Sequence, residues 1–171
     1  MKINQNFGLL YVLLIVCQAV MCNYTNLGPY IMLTMLPSMV LCIPTGISTA
    51  TCMIIAFASG MAVDWLSEGL LGLNAASLTA VALTRKGVIR IFLGEDIITR
   101  SDSFSIRKNG IGKVSFAILT VTALFLAIYI YLDGAGTRPL WFCLSRFCAS
   151  LACNWVLGLI VTGILTPDDR K

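Results

Sequence analysis

The sequence predicts an all-α polytopic membrane protein, a single integral domain (1–171) of six transmembrane helices in one bundle. Three observations predict it. Of the 171 residues, 58% are hydrophobic, only 12% are charged, and mean hydropathy is +0.88. A soluble domain carries about a quarter charged residues, so this chain lacks the charge to cover a water-facing surface, which excludes an ordinary soluble globule or a disordered chain. The apolar residues fall in runs long enough to cross a bilayer. Lysines and arginines gather in segments that alternating spans place on one side.

The first run, 7–22, follows Lys2 as a signal peptide would. The residues ahead of Asn23 are Ala19-Val20-Met21-Cys22, however, which is not a small-x-small cleavage site, and more membrane follows. It is read as a first span. The second run, 27–43, is at the lower limit for crossing at about 17 residues. Pro29, Pro37 and Pro44 punctuate it, and Pro37 at mid-span is expected to kink its helix. The third span, 47–65, is rich in small residues that let helices approach closely in lipid.

A short loop with Glu68, Gly69 and Gly72 leads to the fourth span, 73–93. Its second half carries Arg85, Lys86 and Arg90, so the hydrocarbon part is expected to end near Thr84. The rest would lie along the headgroups, with Val88, Ile89, Ile91, Phe92 and Leu93 as its apolar side. The one long polar segment, 94–113, is basic and longer than a usual connection. The fifth span, 114–132, is the clearest, and the turn residues 133–137 follow it. The sixth, 139–165, opens on Pro139, a residue suited to a first helical position. With both termini cytoplasmic, Lys2, the cluster from Arg85 to Lys113, Arg170 and Lys171 all fall inside, and only Arg138 sits in an outer loop.

Little in the chain points to catalysis. It has no histidine, so the commonest general base and metal ligand is missing. No GxSxG or GxxxxGK[ST] motif occurs. The seven cysteines include no CxxC pair, and Cys143, Cys148 and Cys153 do not share a helical face. They are read as small apolar residues. No enzyme activity, cofactor or metal is expected. The net charge of +4 is explained by topology rather than by nucleic-acid binding.

The candidate residues are polar groups at membrane depth. Arg146 lies roughly seven residues into the last span, where insertion would cost about 2.5–3.5 kcal/mol if it were central. It either snorkels to the outer interface or pairs. Asp64 is the preferred partner, since it ends the third span on that side, and Glu68, one turn on, is the second choice. Stepping by four from Arg146 gives Ser150, Asn154, Gly158 and Thr162, a small and polar stripe suited to docking a neighbouring helix. Asn74 and Thr79 in the fourth span are of the same kind. Arg85, Lys86 and Arg90 are candidates for touching anionic lipid headgroups or a cytoplasmic protein.

The stretch Gly60-Met61-Ala62-Val63-Asp64, followed by Leu71-Gly72-Leu73-Asn74-Ala75, resembles the G-x-x-x-D…LG-L-(N/H)-A signature of the rod shape-determining protein MreD family. The proline-broken second span, the length, the six-span layout and the basic loop before the fifth span are also similar to that family. The signature covers about 20 residues, and Asn74 stands where some members carry His. The resemblance implies a bacterial inner-membrane protein and a non-enzymatic scaffold of the cell-elongation complex that builds sidewall peptidoglycan. Its implied partner is an MreC-like bitopic membrane protein. The MreB-like filament and the sidewall transglycosylase and transpeptidase would be indirect neighbours. It further implies a bundle like the substrate-binding subunits of energy-coupling-factor transporters. Gly60, Asp64, Gly72 and Asn74 would shape the family-specific part. The alternative is a small-solute-binding transporter subunit, with Arg146, Ser150 and Asn154 as its ligand groups.

Overall fold

The computed structural model describes residues 5–25, 28–67, 70–94, 110–134 and 138–166, and all regular structure among them is helical. The helices are α1 (Gln5–Tyr24), α2 (Leu36–Cys42), α3 (Thr49–Leu66), α4 (Leu73–Leu93), α5 (Ile111–Gly134) and α6 (Leu140–Leu165). Four are long and apolar enough to cross a membrane: Phe7–Tyr24 within α1, and all of α3, α5 and α6. This argues for a membrane protein. α4 has the length, at 21 residues, but carries Arg85, Lys86 and Arg90. Most of the predicted basic loop lies outside the described residues.

Side-chain contacts fix the direction of each helix. The Tyr11 hydroxyl lies 3.4 Å from Ser59 Oγ, and Asn23 Nδ2 donates to the Leu66 carbonyl at 2.9 Å, so α1 and α3 run parallel. α3 turns into α4 through Asp64 and Asn74, and the two helices are antiparallel. The Phe92 and Phe116 rings, 6.4 Å apart, join the end of α4 to the start of α5. Arg146 binds Asp133, and Trp155 Nε1 donates to Ser115 Oγ at 2.7 Å, which sets α6 antiparallel to α5. The bundle therefore has an Asp133 end, where α1, α3 and α5 finish, and a Lys113 end, where α4 and α6 finish.

Because α1 and α3 are parallel, the segment between them must return along the bundle. It does so without a spanning helix, which corrects the expectation for 27–43. Residues 31–35 have no regular structure, and only the seven residues Leu36–Cys42 are helical. Pro37 sits in the first turn of α2, where its missing N–H costs nothing, so it starts a helix rather than kinking one. The segment tracks α6 throughout. Tyr30 packs on Phe142 at 5.1 Å, and the Cys42 thiol reaches Thr162 Oγ1 at 3.7 Å. From Phe142 to Thr162 is about 30 Å of helix, comparable to a hydrocarbon core.

All seven residues of α2 are buried, and α2 touches every other helix. Met39, Val40 and Leu41 meet Leu78 and Ile89 of α4 and Ile118 and Phe125 of α5 in one apolar core. Val88 and Ile89 belong to that core, so the second half of α4 stays in the bundle and does not lie along the headgroups as expected. α3 and α4 approach closely at Gly60. A Cβ on Gly60 would meet Ala75 Cα at 2.5 Å and Ala75 N at 2.6 Å.

Gly60→Ala is therefore expected to destabilise the protein by about 1–3 kcal/mol, since backbone must shift to admit one methyl. Gly8→Ala on α1, where a Cβ meets nothing within 4 Å, should leave stability equal or slightly raised. Thermal unfolding in detergent checks both, and equal melting temperatures would refute the close-contact role of Gly60.

Candidate functional site

Within lipid, a backbone N–H or C=O outside a helix has no water to bind and must find a partner in the protein. Residues 31–35 find theirs in side chains of α1 and α6. Ser150 Oγ accepts from the Met32 N–H at 2.9 Å. Asn154 accepts from the Thr34 N–H at 2.8 Å and donates to the Met32 carbonyl at 2.9 Å. From the other side, Gln18 accepts from the Met35 N–H at 2.7 Å and donates to the Leu33 carbonyl at 3.1 Å. Gln18, Ser150 and Asn154 are all buried. Further along the stripe, Gly158 lets Ser38 of α2 approach. A Cβ there would meet Ser38 Oγ at 2.5 Å. The stripe thus docks a neighbour as its spacing predicts, but the neighbour is largely irregular backbone.

The other end of the segment is closed by Arg85. Its Nε donates to the Leu41 carbonyl at 3.3 Å, and its guanidinium also donates to the Ile43 carbonyl. These carbonyls close the C-terminal end of α2, where partial negative charge collects. Arg85 is 1% exposed. Its assignment as a headgroup contact is thereby corrected: the aliphatic stem runs through the core, and the cation caps a helix. Lys86 is half-buried and Arg90 exposed on the same helix.

Asp64 does not pair with Arg146. One carboxylate oxygen accepts from the Gly72 N–H at 2.9 Å and the Ala75 N–H at 3.3 Å. The other accepts from Asn74 Nδ2 at 2.7 Å and the Asn74 N–H at 3.3 Å. These N–H groups open α4, where no intrahelical acceptor exists and positive partial charge collects. Gly72, the N-cap residue, has φ 97°, a left-handed conformation suited to glycine, and has no side chain to cap with. An anion from α3 supplies the cap instead. Gly60, Asp64, Gly72 and Asn74 are thus brought together at one helix junction.

Arg146 binds Asp133 at the end of α5, at 2.6 Å. The pair forms because α5 and α6 are antiparallel neighbours, and it keeps Arg146 near the Asp133 end, away from Asp64. Glu68, the second choice, lies outside the described residues. Thr79 donates to the Ala75 carbonyl within its own helix. The seven cysteines are free, and no cluster among the described residues has the ligands for a metal ion. Gln18 and Asp133 were not singled out from sequence. A lone amide amid the first apolar run was the available signal for Gln18.

No protein-family model matches the chain, and comparisons with curated proteins and with solved structures return no significant match.

Asn154→Ala should strand the Thr34 N–H and the Met32 carbonyl, each at about 1–3 kcal/mol. Asp64→Ala should strand the donors at the start of α4, and Asp64→Asn, which keeps one acceptor oxygen, should be milder. The expected order of membrane yield and melting temperature is wild type, then Asp64→Asn, then Asp64→Ala. Wild-type values for Asp64→Ala would refute the capping role.

Proposed function

We propose that this chain is a non-catalytic membrane scaffold of the kind its resemblance to MreD implies, holding an MreC-like bitopic protein within a cell-elongation complex. The observation that carries the reading is how the polar side chains of the bundle are engaged. Asp64, Asn74, Ser150, Asn154, Gln18 and Arg85 each bind the chain's own backbone or one another. Such a bundle is built to hold a shape. The alternative of a small-solute-binding subunit asks Ser150 and Asn154 to release Met32 and Thr34 for each ligand, and is the weaker reading.

A scaffold needs only differential binding. Holding two membrane partners raises their effective concentration for one another, with no bond made or broken. The outer face offers large exposed apolar residues for such contact, including Leu9, Val12 and Leu13 on α1.

The proposed topology is six crossings, the second made by residues 28–47. The near-30 Å path beside α6 and the alternation of helix directions support it. Positive-inside bias supports a cytoplasmic Lys113 end, since Lys86, Arg90 and Lys113 lie toward it, while Arg138 and Arg146, both on Asp133, are the cations at the other among the described residues. The membrane proposed is the bacterial inner membrane, with both termini cytoplasmic.

A gentle-detergent pull-down from host membranes should recover an MreC-like protein with wall-synthesis enzymes. Recovery of a nucleotide-hydrolysing transporter module instead would overturn the scaffold reading. Alkaline phosphatase fused after Arg138 should be active, and green fluorescent protein fused after Lys113 should fluoresce. The reverse pattern would refute the orientation.

A further inference from the structure

At the Asp133 end, α5 and α6 part to form a groove of about 500 Å³. Its walls are mainly apolar, including Ala127, Ile130, Leu140, Leu144 and Phe147, and Arg138 is its one charged lining residue. That volume lies within the range of small-ligand pockets, about 300–1,000 Å³.

The charge at the mouth is unbalanced. Arg146 lies 2.6 Å from Asp133 Oδ2, and Arg138 shares the same oxygen at 3.5 Å. Two guanidinium groups thus face one carboxylate. Arg146 holds the closer position and is 15% exposed, whereas Arg138 is 43% exposed and rests over the Phe142 ring at 5.5 Å. The Nε of Arg146 has no partner among the described residues. Among the described residues, the groups in this cluster carry a net positive charge at the open end of an apolar groove.

The level of this mouth is marked independently. Tyr24, Trp65, Tyr131 and Trp141 are all exposed, and all lie at the Asp133 end, on four different helices. Exposed Trp and Tyr at one end of a membrane bundle mark the headgroup plane. The groove runs from that plane toward the apolar middle of the bundle.

We propose that the α5–α6 groove binds an anionic phospholipid, one acyl chain lying between Ala127 and Leu144 and the phosphate on Arg138. A zwitterionic lipid offers the same chain without the net charge that the arginine pair calls for. Partial release of Arg138 from Asp133 leaves that carboxylate still paired with Arg146, so the exchange leaves no charge stranded.

Full-length protein in neutral detergent, titrated with dioleoyl phosphatidylglycerol or dioleoyl phosphatidylcholine, tests this by native mass spectrometry. Wild type should bind one phosphatidylglycerol roughly tenfold more tightly than phosphatidylcholine, as one charge-assisted contact implies. Arg138→Gln should erase the preference while keeping chain binding. Ala127→Trp should lower the affinity for both lipids, and Leu83→Trp, on an exposed face of α4, should lower neither. Equal wild-type affinity for the two lipids would overturn the proposal without reference to any variant. So would an undiminished preference in Arg138→Gln, or undiminished binding in a folded Ala127→Trp protein. Displacement of bound phosphatidylglycerol by a partner's transmembrane helix alone, with no lipid selectivity, would assign the groove to that helix and also overturn it.

Discussion

Everything in this bundle is arranged around one demand: backbone outside a helix cannot be left bare where water is absent. Five residues, 31–35, pass through the protein without regular structure, and the seven-residue helix after them has two ends to close. Left alone, each buried unpaired group would cost about 1–3 kcal/mol, enough together to erase the stability of a small domain. Gln18, Ser150 and Asn154 bind five backbone groups of Met32, Leu33, Thr34 and Met35, and Arg85 closes the helix after them. These polar residues interrupt otherwise apolar helices for that reason.

The charges obey the same logic. An arginine in hydrocarbon is expensive, but Arg85 meets no lipid and faces carbonyls that carry the negative end of a helix dipole. Asp64 does the converse for the start of α4, where the glycine that allows the tight turn cannot cap it. Each is a helix cap delivered from a neighbouring helix, so the cap also fixes how the two elements sit. Arg146 solves its problem differently, by pairing with Asp133 near an end of the bundle. Burial separates the cases: the deepest cation is matched to backbone, the shallower one to a carboxylate.

Hydropathy made the long helices legible. The runs 47–65, 73–93, 114–132 and 139–165 all lie within three residues of α3, α4, α5 and α6 at each end. The second run reads as a helix because averaged hydropathy cannot tell buried irregular backbone from a helix; the three prolines are the better guide. Asp64, Ser150 and Asn154 were visible as polar groups in apolar surroundings, but their partners were not. Met32 and Ser150 are 118 positions apart, and the partner atoms are backbone, which every residue has. Arg85 reads as a headgroup contact because, followed by Lys86 and Arg90, it marks the end of an apolar run, and only packing reveals that it is buried.

The arrangement also orders the birth of the molecule. The irregular segment before α2 precedes α3, α4 and α5 in the chain, yet two of the side chains that bind it, Ser150 and Asn154, belong to α6, which is made after all of them. Through most of synthesis this central element has Gln18 but not its other clasp. A chain stalled before Leu140 would lack the groups with which Ser150 and Asn154 bind Met32 and Thr34. Completion of α6 is thus the event that seals the fold. A late helix secures an early segment.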